Sequence, residues 1–317
     1  MTTAPKAMFE RIALIGIGLI GSSISHAARR AGLAGDIVGS SATPATRAAA
    51  EELGLVSKAY ASAAEAVKDA DLVILCTPVG VLGGIAQEIG PHLKPGAILT
   101  DVGSVKAAVV RDVGPHVPKG VHFIPGHPIA GTEQSGPQSG FAELFDGRWC
   151  ILTPNEDADP VALERLVTFW KKLGSNVELM NAEHHDLVLA ITSHVPHLIA
   201  FNIVNTAAHL ARVTDTEVIK FSAGGFRDFT RIAASDPVMW RDVFLNNKDA
   251  VLEMLGRFSE DLSNLQRAIR FGDGATLEKL FGEARTIRRG VIQAGQDTPQ
   301  ADFGRRLPPG AQSKKPE

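Results

Sequence analysis

The chain has 317 residues, of which 44% are apolar and 21% charged, with a net charge of −3. That length suits one large domain or two ordinary ones, and the charge balance gives no reason to expect nucleic acid or a membrane surface as partner. Of the two cysteines, Cys76 and Cys150, the first sits in an apolar strand-like run, which points to a buried free thiol and a reducing cytoplasm.

The N-terminal stretch "MTTAPKAMFERIALIGIGLIGSSISHAARR" has early charge and then apolar residues, as a secretory leader does. Glycines break the apolar part, however, and no small-residue cleavage site follows cleanly. No window approaches eighteen uninterrupted apolar residues, so no membrane span is expected.

The first half alternates strand and helix signals. "RIALIGIG" predicts a buried strand over Arg11 to Ile15, and "GLIGSSISHAARRAG" a helix stopping at Gly32. "DIVGSS" predicts a second strand. "TPATRAAAEELG" predicts a helix with Thr43 as N-cap, Pro44 at the first helical position and Gly54 as the stop. "DLVILCTP" and "GAILTDVGS" read as strong apolar strands. "VHFIPGHP", "RWCILTP" and "SNVELM" follow as shorter ones, with the helix "PVALERLVTFWKKLG" before the last. Apolar strands alternating with helices predict βαβ units and a parallel sheet covered on both faces.

Strand signals vanish near Asn181. "AEHHDLVLAITSHVPHLIAFNIVNTAAHLARV" predicts one long helical stretch interrupted by Pro196. Further on, Val251, Met254, Leu255, Phe258, Leu262, Leu265 and Ile269 recur at spacings of three and four, which marks one apolar helix face. Leu277, Leu280, Phe281, Ala284 and Ile287 continue the pattern. The expected fold is therefore α/β: a Rossmann-type doubly wound domain over residues 1–180, then an all-helical domain over 181–292. The apolar content of these helices suggests a homodimer formed through them. The tail, 293–317, is polar and proline-rich and is expected to be disordered.

"GIGLIG" places Gly16, Gly18 and Gly21 at the G-x-G-x-x-G spacing, after an apolar strand and at the opening of a helix. Gly16 permits the tight turn, Gly18 lets a pyrophosphate approach the backbone, and Gly21 lets helix and strand pack closely. Ile17, Leu19 and Ile20 complete this cofactor loop. An acid about twenty residues on would bind the ribose of NAD. Here that position reads "VGSSATPATR", with no acid. Ser40, Ser41, Thr43 and Arg47 suit a 2′-phosphate, so NADP is favoured over NAD. Thr77, Pro78 and Ser104 lie at later strand ends, which line the ligand crevice of such a sheet. Oxidising an alcohol also needs a base, and His127, in the glycine-rich loop "GHPIAGTEQSG" at a strand end, is the candidate. His184, His185, His194 and His197 fall close together, but no cysteine or regular carboxylate partner accompanies them, so no metal is expected.

"GIGLIGSS", "DVGSVK", "GHPIAGTEQSG", "TSHVPH" and "GGFRDFTRIAASDPVMWRDVFLNNK" together resemble the prephenate/arogenate dehydrogenases of tyrosine biosynthesis. The resemblance runs from about Arg11 to Ile292. It implies a Rossmann domain coupled to a helical dimerisation domain. The implied reaction is NAD(P)-dependent oxidative decarboxylation of prephenate or arogenate, to 4-hydroxyphenylpyruvate or tyrosine. It implies that His127 takes the proton of the ring 4-hydroxyl, with Ser104 beside it. Ser193, His197 and Trp240 would line the substrate pocket with Thr132. Arg231 would bind a substrate carboxylate, and Glu133 would help gate the pocket. Tyrosine is a candidate feedback inhibitor. The alternatives are another two-domain hydroxyacid dehydrogenase and a non-catalytic NADP-binding regulator. The first usually carries a catalytic lysine on a second-domain helix, which is not evident here. The second should lack His127 or Arg231, and both are present.

Overall fold

A run of alternating buried apolar residues opens the fold as β1 (Phe9–Ile15), followed by α1 (Leu19–Arg30), β2 (Ala34–Ser40), α2 (Pro44–Glu52) and β3 (Lys58–Tyr60). Next come α3 (Ala63–Ala66), β4 (Leu72–Leu75), α4 (Leu82–Ile89), β5 (Ile98–Asp101), α5 (Ala107–Val113) and β6 (His122–Phe123). The structure, a computed structural model, describes residues 7–132, 134–209 and 223–293. These six strands pair in parallel in the order β3-β2-β1-β4-β5-β6. The order reverses between β1 and β4, so the ligand crevice of a doubly wound sheet lies outside the carboxyl ends of those two strands.

Side chains alternate between the two faces, as a pleated strand requires. Ile12 and Leu14 of β1 join one core cluster with Ile24 of α1 and with Leu166, Phe169 and Trp170. Ala13 and Ile15 join a second cluster with Leu82, Val105 and Val109 on the other face. Each fully buried Leu, Ile or Phe contributes about 1.5–3 kcal/mol, and this double burial holds the crevice rigid.

The three later strands do not extend the parallel sheet. β7 (Gly126–Pro128), β8 (Trp149–Leu152) and β9 (Asn176–Leu179) form a separate sheet, with β7 antiparallel to β8 and β8 parallel to β9. Pro125 has no N–H for the ladder, and the next donor, Gly126 N, is taken by Asp101 Oδ1 at 3.1 Å. The chain therefore leaves the first sheet there and delivers His127 to the end of β5. Between β8 and β9 runs α6 (Pro160–Lys172), capped by Asp159, which accepts from Ala162 N. Thr43 does occupy the N-cap position of α2, but its hydroxyl makes no cap bond. The edge strand β3 lacks an apolar signal and was not expected.

Beyond β9 the described residues are helical: α7 (Ala182–Leu189), α8 (Val195–Ala208), α9 (Gly224–Thr230), α10 (Pro237–Asn246), α11 (Lys248–Phe271) and α12 (Gly274–Gln293). Pro196 does not interrupt the first of these. A π turn over Ala190–His194 joins α7 to α8, and Pro196 sits in the first turn of α8. The wider turn accommodates a residue that lacks an N–H and crowds the carbonyl four residues back. By length and composition alone, the resulting helix Ala182–Ala208 could cross a membrane, with a mean hydropathy of 1.7 over its most apolar window. It also carries the buried groups His185, Asp186 and His194. By contact density the chain divides into units 1–254 and 255–317, and every residue of the candidate site lies in the first. The expected disordered tail falls, from residue 294, outside the described residues.

Candidate active site

The cofactor loop is built of backbone. Gly16 takes φ +99°, and a Cβ there would stand 2.8 Å from the Cys76 carbonyl oxygen at the end of β4. A Cβ on Gly21 would collide with the Gly16 carbonyl. A Cβ on Gly18 would meet nothing within 4 Å. Two of the glycines are thus required by the protein itself, while the third keeps an open face at the start of α1. Ile17 is buried, and Leu19 and Ile20 pack against the core. Thr77 Oγ1 is buried without a hydrogen-bond partner beside Gly16, and Pro78 follows it, exposed. An open glycine face and an orphaned hydroxyl at the switch point fit a dinucleotide.

At the end of β2, Ser40 is buried and Ser41 half-buried. Ser41 Oγ accepts from Thr43 N at 3.3 Å. Arg47 folds back on this turn, and its Nη1 donates to the carbonyls of Ser41 (2.7 Å) and Ala42 (3.0 Å). The guanidinium therefore stands beside the serines.

The second half of the site is built of side chains. Asp101, at the end of β5, pairs with the fully buried Lys106 and accepts from Gly103 N at 2.8 Å. Lys106 Nζ also donates to Gly126 O at 2.7 Å. Since Asp101 takes Gly126 N as well, both backbone groups of Gly126 are held, and His127 is fixed next to them. His127 is buried, and its Nδ1 lies 2.9 Å from His185 Nε2. His185 Nδ1 lies 2.8 Å from Asp186 Oδ1. Asp186 also accepts from Lys106 N (2.7 Å) and Ala107 N (2.9 Å), which anchors the loop of Ser104 to α7. The cap Asn181, accepting from His184 N at 2.7 Å, sets where α7 begins.

Burial pushes the His127 imidazole well below its usual range, helped by His185 and the Lys106 ammonium. Burial likewise lowers His185, with Asp186 opposing. It takes His194 down to about 4. All three rings are neutral at neutral pH. Asn247 Nδ2 contacts both the Asp186 carbonyl (2.8 Å) and His194 Nδ1 (3.1 Å).

The remaining expected residues form a second group. His197 stacks on Trp240, with ring centroids 3.7 Å apart and planes inclined by 24°. Its Nδ1 contacts the Ser193 carbonyl at 2.8 Å. Burial lowers the His197 pKa, and the nearby Arg231 charge acts in the same direction. Ser193 lies in the π turn, half-buried, and Arg231 opens a short 3-10 turn after α9. Thr132 stands apart: it is exposed, and its hydroxyl accepts from Gln134 N at 3.2 Å within its own loop. Glu133 lies outside the described residues. The sequence reading missed His185, Asp186, His194 and Asn247 as site residues. "EHHD" was visible as a cluster of titratable groups, but the pairing of His185 with His127 spans 58 positions and needs the fold. Among the described residues no group of three His, Cys, Asp or Glu is placed to hold a metal ion.

Comparison with known proteins accounts for most of the chain. Residues 24–179 match the family model described as prephenate dehydrogenase, nucleotide-binding domain, and residues 181–283 match prephenate dehydrogenase, dimerization domain. A cyclohexadienyl dehydrogenase of Zymomonas mobilis is 40% identical over 89% of this chain and 96% of its own. A prephenate dehydrogenase of Bacillus subtilis is 34% identical over 90% of this chain and 76% of its own. Among solved structures, prephenate dehydrogenase of Aquifex aeolicus, in complex with hydroxyphenyl propionate and NAD+, superposes with a TM-score of 0.82. It is 35% identical and covers 89% of this chain and 98% of its own.

Proposed function

The chain belongs to the prephenate dehydrogenase family and is an oxidoreductase using a nicotinamide cofactor, and from that premise we propose how its own residues act on prephenate, arogenate or both. The reaction is oxidative decarboxylation. The substrate loses a hydride from its ring carbon and its ring carboxylate as carbon dioxide, while the hydroxyl proton drawn off during hydride transfer returns to the aromatic oxygen, giving 4-hydroxyphenylpyruvate or tyrosine. Bound at the glycine loop, the nicotinamide supplies the two-electron acceptor.

Gly16, Gly18 and Gly21, with Ile17, Leu19 and Ile20, hold the cofactor's pyrophosphate at the start of α1, and Thr77 and Pro78 line its crevice. Ser40, Ser41, Thr43 and Arg47 accommodate a 2′-phosphate, which favours NADP over NAD. The observation that carries the chemistry is the anchoring of His127: buried, neutral, with Nδ1 engaged by His185 and, among the described residues, no hydrogen-bond partner at Nε2. His127 Nε2 takes the proton of the ring hydroxyl, with Ser104 alongside. Arg231 holds a substrate carboxylate in a bidentate fork. His197, Ser193 and Trp240 shape the pocket with Thr132, and Glu133 helps gate it. The protein need not force decarboxylation, because aromatisation of the ring drives it.

The rest of the reading follows the family. The helical half forms a homodimer, for which the exposed apolar residues Leu187, Ile191, Ile203 and Val204 on Ala182–Ala208 provide surface. Tyrosine, which is the product from arogenate and resembles the product from prephenate, inhibits by occupying the substrate site, and the enzyme works in the cytoplasm. The test is to follow NADPH or NADH formation with each substrate. Turnover of prephenate or arogenate with the higher kcat/KM for NADP supports the reading. No turnover of either overturns the activity, and a strong preference for NAD overturns the cofactor assignment. A monomer mass in gel filtration would count against the dimer.

A further inference from the structure

We infer that His185 and Asp186 are positioning residues that hold His127 in one tautomer, with the proton on Nδ1 and the lone pair on Nε2. The inference rests on the reading of His127 as the base and adds what sets its polarity. The direction of the chain follows from its far end. Asp186 accepts at both oxygens, from Lys106 N, Ala107 N and the His185 ring. A carboxylate so engaged can only accept, so His185 carries its proton on Nδ1. A neutral His185 then offers a lone pair at Nε2, and His127 must answer with Nδ1–H across the 2.9 Å contact. The reverse polarity would set a lone pair on His185 Nδ1 against the Asp186 oxygen.

The charged and titratable neighbours agree with a neutral pair. Lys106, fully buried against Asp101, disfavours a second positive charge on either ring, and His194 adds to this at His127. His194 Nδ1 is itself engaged by Asn247 Nδ2 at 3.1 Å. Asn247 also grips the backbone of Asp186, so the end of the relay is fixed through both its side chain and its carbonyl.

The test is a long-range proton–nitrogen correlation spectrum of the full-length protein labelled with ¹⁵N-histidine, with His127 identified by the signal lost in His127→Asn. The expected result is a protonated Nδ1 and an unprotonated Nε2 on His127 at neutral pH. A His127 ring protonated on Nε2 overturns the inference, and the wild-type spectrum decides this without any relay variant. In turnover, His185→Leu removes the acceptor and is expected to lower kcat by about tenfold or more at little change in KM, the consequence of a base in the wrong tautomer. His185→Gln, whose amide oxygen can accept the same hydrogen, should recover most of that loss. Equal kcat values for the Leu variant and the wild type would also overturn it. Failure of the base reading has a separate sign: His127→Asn would turn over near normally whatever the tautomer.

Discussion

The glycine loop after β1 and the histidine chain at β7 place reacting groups in opposite ways. The first uses backbone: three glycines within six positions, one turning with positive φ, one open, one pressed against its neighbour's carbonyl. The second uses side chains drawn from four separate segments, Asp101–Lys106, His127, His185–Asp186 and Asn247, joined by hydrogen bonds. A backbone device tolerates little change in shape. A side-chain device tolerates little change in chemistry.

That contrast can be broken by substitution. In the histidine chain, His127→Asn is nearly isosteric and should leave the fold intact while lowering kcat about 10²–10⁴-fold, with a smaller effect on KM. Near-normal kcat would refute the base. Arg231→Ala should mainly raise KM, by about 10–100-fold, as expected for losing a charged hydrogen-bond pair of about 1.5–3 kcal/mol. An unchanged KM would remove Arg231 from substrate binding.

The glycine loop should respond in stability as well as binding. Gly21→Ala forces a methyl against the Gly16 carbonyl and is expected to cost about 1–3 kcal/mol in denaturant unfolding. Gly18→Ala meets only open space. It should keep wild-type stability within about 0.5 kcal/mol while weakening cofactor affinity. Equal stability loss in both variants would show that the open face is structural.

The mildest effect is on acid stability. His127, His185 and His194 have folded pKa values below the ordinary 6.5, so they are neutral in the fold and take up protons when it unfolds. Their contribution is complete above about pH 6.5 and is lost as pH falls through the lowered values. The melting temperature should therefore decline from pH 6.5 towards 4. A flat profile across that window would mean that the rings are not buried neutral.

The two regions also differed in how readily the sequence disclosed them. Strand, glycine spacing and helix lie within one short window, so the loop from Gly16 to Gly21 could be read directly from "RIALIGIGLIG". The departure of β7 from the parallel sheet could not, because Pro125 announces a break while the destination depends on Asp101 capturing Gly126 N. Pro196 likewise reads in the sequence as an interruption of one long helical stretch, since local propensity does not reveal the π turn that absorbs it. The loop marks His127 as a candidate, and its role as base, like the roles of the second-group residues, comes from the family resemblance. His185 was considered only as a possible metal ligand, because sequence adjacency to His184 is visible and spatial adjacency to His127 is not.

The pH dependence of kcat/KM tests the central claim, that a buried neutral His127 does the proton work, since this ratio reports the free enzyme's ionisations. With its pKa held below 6.5 by burial and by the Lys106 ammonium, the wild type should remain on its plateau at pH 6.5 and lose activity only at lower pH. That acid limb should be absent from the residual activity of His127→Asn. A midpoint at or above pH 6.5, or the same limb persisting in His127→Asn, would contradict the assignment.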